Sequence, residues 1–585
     1  MDALPVEPCA EEETFDLVIV GAGINGLLAA KAFLDIQPSI KIVVLDSLGS
    51  VGGVWAKERI YPGLNVQTTA RFFEFPEFGY KDCEPPVEYN GAGFITGPSW
   101  SRYFEQWSDK VGLTKYIRLN TSVSQVTRHK DGLRWQCYIA GSQAILTTSK
   151  LIIANGISTL PKYPDLDFQK FTGPIMHHRY FGDREADWMK EEVKEVTVYG
   201  AGKGCMDDMV QLVKAGKKVK WVIRKEGRGP CWILGRNLPG GRTIDSVALS
   251  RITSIFLPSM YQDDGFQILH YFFKRNFIGK AISSFFLNFS KTIAMIPMKP
   301  LSNENLQKAI PDIAPFWLYH PIGIDNYDVN ICDYLRNGDI EVIRDTIVSL
   351  EGNKVMLASN PSYATDAVIF GTGWKSSISL FSENRELEMQ LGLPSASYTE
   401  EYIQKWRALE TEADRKVFAT NPVLRHAPKL PTTPPSTQEL GPFRLYHHTI
   451  PTNFADRSIA FLGVAQTAGT IHYGLVMALW TAAYFNDRLN LPSKEEMERI
   501  AAYELRFNQI RHLGIRNEFP IIYSDFMSMM TTLLKELGLS PWMKTGWFHE
   551  IFQPYTCHDY RDLNKKWMLK ENLIRNEGGA NIVSL

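Results

Sequence analysis

Two glycine-rich turns stand where a polypeptide could hold the diphosphate of a dinucleotide. The first, Gly21-Ala22-Gly23-Ile24-Asn25-Gly26, follows the apolar run Asp16–Val20 and opens the apolar-rich stretch Leu27–Leu34. In such a strand–turn–helix, the first glycine makes the turn and the second lets a pyrophosphate reach the backbone. The third lets the helix pack on the strand, and amides at the helix start hold the phosphate. Asp46 lies 20 residues beyond Gly26, at the end of the run Lys41–Leu45, where a carboxylate can take a ribose hydroxyl. A glycine turn without a ligand is the plainer reading, and the full strand–turn–helix–strand–acid order weighs against it.

The pair Gly52-Gly53 follows six residues after Asp46, with Trp55 next to it. This arrangement, as in flavoproteins of this fold, assigns the first site to FAD, with Gly53 against the cofactor. Trp55 can cover the cofactor, and core packing is an equal role for it. The second turn, Gly200-Ala201-Gly202-Lys203-Gly204-Cys205, follows Val196–Tyr199 and has Cys205 at the third glycine position. A small side chain there still permits close packing. Arg224 and Lys225 stand at the end of the next strand, 24 residues after Gly200 for Arg224. A basic residue at this point pairs with the 2′-phosphate of NADPH, whereas an acid selects NADH. A solvated turn is the alternative for the two cations.

These sites need elements to carry them. The order strand, turn, helix, strand occurs twice, at Phe15–Asp46 and Glu195–Arg224. The fold expected is α/β, with two Rossmann-like dinucleotide-binding domains and the NADPH domain inserted into the FAD domain. The runs Lys150–Ile157 and Asp366–Lys375, each a strand ending in glycine, are read as the two crossings. The expected domains are 1–165 (FAD, first part), 166–370 (NADPH, with a helical insertion at about 232–325) and 371–585 (FAD, second part, and a C-terminal helical region).

Composition narrows the class. At 585 residues the chain exceeds one ordinary core. A formal charge of -1 and no basic patch argue against a nucleic-acid partner. Seven scattered cysteines without a CxxC pair suggest a reducing compartment and no redox dithiol. His447, His448 and His472 lack metal-ligand spacing, so no metal is expected. The acidic N-terminus has no signal-peptide pattern, no apolar run reaches the ~20 residues of a spanning helix, and the C-terminal Val583-Ser584-Leu585 is not a peroxisomal address. A cytoplasmic setting is expected, with membrane association on the cytosolic face left open.

Further motifs carry a family resemblance. Phe171-x-Gly173-x-x-x-His177-x-x-x-Phe181 resembles the signature of the flavin-containing monooxygenases, class B flavoprotein monooxygenases. Their near relatives, the Baeyer–Villiger monooxygenases, carry Trp where Phe181 stands. Gly200-x-Gly202-x-Gly204-x-x-Asp207 is similar to the family's NADPH turn, with Gly204 in place of a serine. Gly371-Thr372-Gly373-Trp374 is similar to its second crossing, and Gly463–Gln466 with Met477–Trp480 to its flavin-side C-terminal segment. The resemblance covers roughly residues 15–490 and weakens at about 232–325 and in the last hundred residues. It implies FAD and NADPH as cofactors, with Gly204, Asp207 and Gln466 at their sites.

One departure bears on the chemistry. The family has Asn at the end of Tyr-x-x-Leu-x-x-Asn, where Tyr61–Gln67 places Gln67. Both are primary amides able to donate a hydrogen bond, Asn65 is the rival, and a loop residue touching only water is the bland alternative. The activity implied is NADPH-dependent transfer of one oxygen atom of O2, through a flavin C4a-(hydro)peroxide, to a small lipophilic metabolite of specialised biosynthesis. Baeyer–Villiger attack on a ketone and a flavoprotein dehydrogenase are the alternatives. His177 is expected to fix the linker rather than act as a base.

The segment 266–298 is rich in Phe and Lys, and 266–303 has no acidic residue. It suits either a lid over an apolar substrate pocket or a peripheral membrane contact. The lid is favoured, because membrane contact requires the aromatic face to be exposed.

Overall fold

The computed structural model describes residues 12–573, apart from 239, 318–321, 376–378, 382–383, 396–397, 431–440, 455, 515–518 and 524. The acidic N-terminal stretch with Cys9 and the final Val-Ser-Leu lie outside the described residues.

Six strands from the first part of the chain build one sheet. They are β1 (Glu12–Val20), β2 (Ile42–Leu45), β3 (Ile117–Arg118), β4 (Val123–Arg128), β5 (Trp135–Ile139) and β6 (Ile145–Ile153), in the order β3-β2-β1-β6-β5-β4. β1 pairs in parallel with β2 and β6. Leu17-Val-Ile-Val20 is buried on both faces, as a central parallel strand must be. The crossover helix α1 (Ile24–Ile36) buries Leu27, Leu28 and Phe33. It begins three residues before the apolar stretch Leu27–Leu34, because the fingerprint turn itself supplies its first turn.

A second sheet is wholly parallel. It uses β7 (Ile175–His177), β8 (Glu195–Gly200), β9 (Lys218–Ile223), β12 (Ile340–Arg344) and β13 (Ala367–Gly371), in the order β12-β9-β8-β13-β7. The helix α2 (Lys203–Lys214) links β8 to β9. Between β9 and β12 comes the insertion, which opens on β10 (Trp232–Leu234) and closes on β11 (Ile322–Ile324). These two short strands pair in parallel, so the insertion is tied at its own base. It also contains α3 (Gln267–Arg275) and α4 (Phe277–Ala294).

The two passages between the sheets meet. Leu160–Pro161 pairs antiparallel with Trp374–Lys375, and Lys162 donates its N–H to the Gly373 carbonyl at 3.0 Å. The strand β14 (Ile459–Phe461) then returns to pair with Leu151–Ile153 of β6. The chain thus completes its first sheet from its far end, and the second Rossmann-like unit is inserted into the first. The helix α5 (Thr470–Phe485), buried almost throughout, shares one core with α1 and with Trp100, Tyr103, Phe104 and Trp107. That core holds the first nucleotide turn from behind.

α4 departs from expectation. Its small residues Gly279 and Ser283 face the protein, and a Cβ on Gly279 would come within 2.0 Å of the Phe272 carbonyl oxygen. Its aromatic residues point the other way, with Phe277 84 % and Phe285 72 % exposed. An internal lid would turn that face onto a cavity. The lid expectation therefore fails for α4, whose close seat on α3 needs small residues inward.

Candidate functional site

Both glycine turns sit at the C-terminal ends of their parent strands, β1 and β8, where parallel sheets bind ligands. Gly21 has φ +114°, and a Cβ there would lie 2.3 Å from the Ala154 carbonyl oxygen; one on Gly26 would lie 1.9 Å from that of Gly21. Gly23 and Gly53 face each other closely enough that a Cβ on Gly53 would stand 3.2 Å from the Gly23 Cα. This close approach, with Gly53 at φ +62°, needs a residue without a side chain at 53 and leaves bare backbone on both sides. Neither α1 nor α2 has a side-chain N-cap or an acid in its first turn, so their leading amides remain available to an anion.

Asp46 accepts hydrogen bonds from the N–H of Ala22 at 2.7 Å and of Leu48 at 2.9 Å. Burial raises its pKa. It locks the fingerprint turn to the end of β2 and still has lone pairs for a ribose hydroxyl. Trp55 packs 5.1 Å from Trp100 and 6.2 Å from Phe73, which makes it a wall of the aromatic core. Gln466 is buried, and its Nε2 has no hydrogen-bond partner among the described residues. An orphaned amide donor is costly, about 1–3 kcal/mol, and fits an acceptor-rich ring such as isoalloxazine. The glycine cradle and this donor are what FAD requires.

In the second turn, Cys205 fills the position of the missing glycine. A Cβ on Gly371 would meet its Sγ at 2.0 Å, and one on Gly200 would meet it at 2.8 Å. The absent third glycine is therefore replaced by a glycine on the neighbouring strand. Gly202 has no atom within 4 Å of an added Cβ and opens to solvent, whereas Gly204 abuts the His178 ring. Arg224 and Lys225 are exposed at the end of β9, with Lys225 3.6 Å from Asp345.

Asp207 is not directed at the turn. Its carboxylate accepts from Tyr61 Oη at 2.9 Å and Tyr327 Oη at 2.7 Å, and pairs with Lys203. Lys203 also donates to Asn326 Oδ1 at 2.9 Å. Beside it, the buried Asp208 accepts from His178 Nδ1 at 2.9 Å. Burial pulls His178 down, but the charge and hydrogen bond of Asp208 and the charge of Asp207 together outweigh it, and the net shift is upward. These residues pin loop 61–67 of the first unit to α2 of the second. Sequence reasoning missed Tyr327, Asn326, His178 and Asp208, whose partners lie 30 to more than 100 residues away.

Loop 61–67 carries both candidate amides. Gln67 Oε1 accepts from the N–H of Ile324 in β11 at 3.1 Å, which leaves Nε2 as its donor end. Asn65 Nδ2 donates instead to the Gly63 carbonyl at 2.9 Å. Nearby, Arg59 donates to the Ser158 carbonyl at 2.5 Å and lies over the Trp374 ring, bridging both passages between the units. Burial lowers its pKa to about 10. His177 Nδ1 accepts from the Arg179 N–H at 3.1 Å, so Nε2 donates to the Gly373 carbonyl at 3.0 Å. Burial lowers this histidine to about 4, and it acts as a neutral strut. Phe181, fully buried, stacks on Trp188 with centroids 4.6 Å apart. Among the described residues no His/Cys/Asp/Glu group could hold a metal ion.

Residues 18–231 match the pyridine nucleotide-disulphide oxidoreductase family model. FAD-dependent monooxygenase DEP4 of Fusarium langsethiae is 30% identical over 564 residues, covering 95% of each chain. The chain belongs to the FAD-dependent monooxygenase family. A second relative of that name, from Alternaria brassicicola, is 30% identical over 558 residues and 94% of each chain. FAD-dependent monooxygenase resA of Aspergillus sclerotiorum is 28% identical over 95% of this chain and 98% of its own. The fold of this FAD-dependent monooxygenase is similar to the open crystal structure of cyclohexanone monooxygenase (TM-score 0.58, 13% identity, 89% of this chain and 97% of that one). It is also similar to S-allyl-L-cysteine S-oxygenase from Allium sativum (TM-score 0.51, 14% identity, 96% and 94%). No helix among the described residues is long and apolar enough to cross a membrane.

Proposed function

We propose that this FAD-dependent monooxygenase uses NADPH to transfer one atom of O2 to a small lipophilic metabolite in specialised biosynthesis, releasing water and NADP⁺. The observation that carries this reading is the clamp on loop 61–67. Tyr61 ties it to Asp207 behind the second glycine turn, and Gln67 ties it to Ile324. A loop of the first unit is thereby fastened at both ends to the second unit, and a fixed seat of one unit on the other is what hydride transfer between two cofactors needs.

Gly21, Gly23, Gly26 and Gly53 would cradle the FAD pyrophosphate, with Asp46 at the ribose and Gln466 at the ring. Gly200, Gly202 and Gly204 would admit the NADPH pyrophosphate, with Arg224 and Lys225 at the 2′-phosphate. Asp207 acts here by positioning, through Tyr61 and Lys203. When bound, the two cofactors supply a hydride and the means to activate dioxygen. With Ile324 holding its Oε1, Gln67 would have Nε2 free to donate to the oxygen being transferred. Asn65 is the weaker candidate because its amide already serves Gly63. Trp55, backed by Trp100, would screen that side from water, which would keep oxygen transfer from being lost to solvent. Phe181 in the signature favours nitrogen, sulfur or electron-rich carbon over ketone insertion as the oxidised centre.

The test is turnover with NADPH, isotopically labelled dioxygen and a panel of lipophilic amines, thioethers and ketones. One labelled atom in a product is expected. NADPH consumption that yields only hydrogen peroxide across the panel would overturn the reading. Gln67→Ala is expected to lower the rate of product formation roughly 10²-fold, with hydrogen peroxide released in its place.

A further inference from the structure

α4 is built inside out. Its two central inward positions are Gly279 and Ser283, while Phe277, Ile278, Ile282, Phe285, Phe286 and Phe289 are exposed. On a helix of 3.6 residues per turn these six fall within one half of the circumference. Lys280 and Lys291, eleven residues apart, share a flank beside that arc. A solvated helix has the reverse pattern, so this face is made to be covered.

A second segment, far away in the chain, adds to it. The helix α6 (Trp547–Phe552) packs through Ile551 and Phe552 into a cluster with Phe266 and Leu269 at the start of α3. Trp542 stacks on Phe266 with centroids 5.0 Å apart. This packing leaves Trp547 63 % exposed and Phe548 exposed as well. Residues 538–549 contain no acid, and neither do residues 266–303, which carry the exposed cations Arg275, Lys280, Lys291 and Lys299.

We propose that α4 and the exposed Trp547–Phe548 turn form a monotopic docking face for an anionic lipid surface. α4 lies flat with its aromatic arc among the acyl chains and its lysines at headgroup level. Charge decides the occupant. A second copy of this chain would set Arg275, Lys280, Lys291 and Lys299 against the same cations, with no acid in the segment to answer them. Anionic headgroups answer all of them. No helix among the described residues, α4 included, is long and apolar enough to cross a membrane, so α4 is placed on the surface. This inference stands apart from the redox assignment and connects to it only in placing the site near lipophilic substrate.

Flotation of the full flavin-loaded chain with vesicles tests it. Binding is expected on a phosphatidylcholine–phosphatidylserine mixture, with weaker binding on phosphatidylcholine alone. Lys280→Ala and Lys291→Ala should each weaken binding to the mixture about fivefold. The exposed double variant Phe285→Glu with Phe289→Glu should abolish it while keeping bound flavin. If that variant does not fold, the lysine variants still decide. Failure of the parent chain to float with the mixture overturns the proposal. So does equal binding by all variants, or a dimer in light scattering that the Phe variants convert to monomer without any vesicle binding.

Discussion

Gln466 Nε2 is a buried donor, and its expected partner is FAD. Gln466→Leu removes an unsatisfied group, so the flavin-free protein should be no less stable, whereas its Kd for FAD should rise about tenfold, ~1.4 kcal/mol. Fluorescence titration of deflavinated protein with FAD, alongside thermal melts, separates the two effects. A loss of stability without a change in Kd would make Gln466 a packing residue. At the second site, Arg224→Ala is expected to raise KM for NADPH roughly 10- to 100-fold and leave NADH nearly untouched, as for a lost charge-assisted bond. Steady-state kinetics with both nucleotides check this. Equal effects on the two would place Arg224 outside the phosphate site. The glycines were legible because a missing side chain at fixed spacing is itself the signal. Asp207 was not: its spacing matches the family turn, but its partners Tyr61 and Tyr327 are 146 and 120 residues away.

Elements succeed or fail on packing between them. The β8–α2–β13 junction tolerates Cys205 only because Gly371 has no Cβ. Gly371→Ala is expected to destabilise the second unit by about 1–3 kcal/mol through overpacking. Adding Cys205→Ala should restore most of it, since the Cys205 Cβ stands 3.6 Å from the new methyl, an ordinary contact. Denaturant unfolding of both single variants and the double gives the coupling, and strict additivity would contradict it. α5 and its neighbours depend on a buried cation. His447 lies 2.6 Å from Glu504 and 2.9 Å from Glu536. Burial pulls it down, but the two carboxylates outweigh this and raise it from 6.5 to about 10. A raised folded pKa gives stability that is complete below pH 6.5 and lost as pH rises through about 10. Tm should therefore fall across that window in the parent chain. His447→Gln should be about 3–5 kcal/mol less stable, with the buried Glu504 carboxylate left without its cation, and should lack the alkaline decline. An unchanged pH profile in the variant would remove His447 from this role. The strands and crossover helices were legible from apolar runs bounded by glycine. α4 misled because its apolar residues fit both an inward and an outward face, and only the close seat of Gly279 on α3 fixes which way it turns.

At the scale of the whole molecule, two Rossmann-like units are joined by paired passages at Leu160–Pro161 and Trp374–Lys375 and clamped by loop 61–67. The chain order foretold this nesting, because each passage ends a strand in glycine. The hydrogen bonds that set the units face to face span distances in sequence that no local pattern encodes. If the two turns serve one reaction, hydride must pass between them within a single polypeptide. Anaerobic titration of the purified full chain with NADPH, followed through the visible flavin band, measures that passage directly. The chain should carry FAD as isolated, and stoichiometric NADPH should bleach it, with NADH far slower. A folded chain that retains no flavin, or a bound flavin that NADPH leaves oxidised, would contradict it.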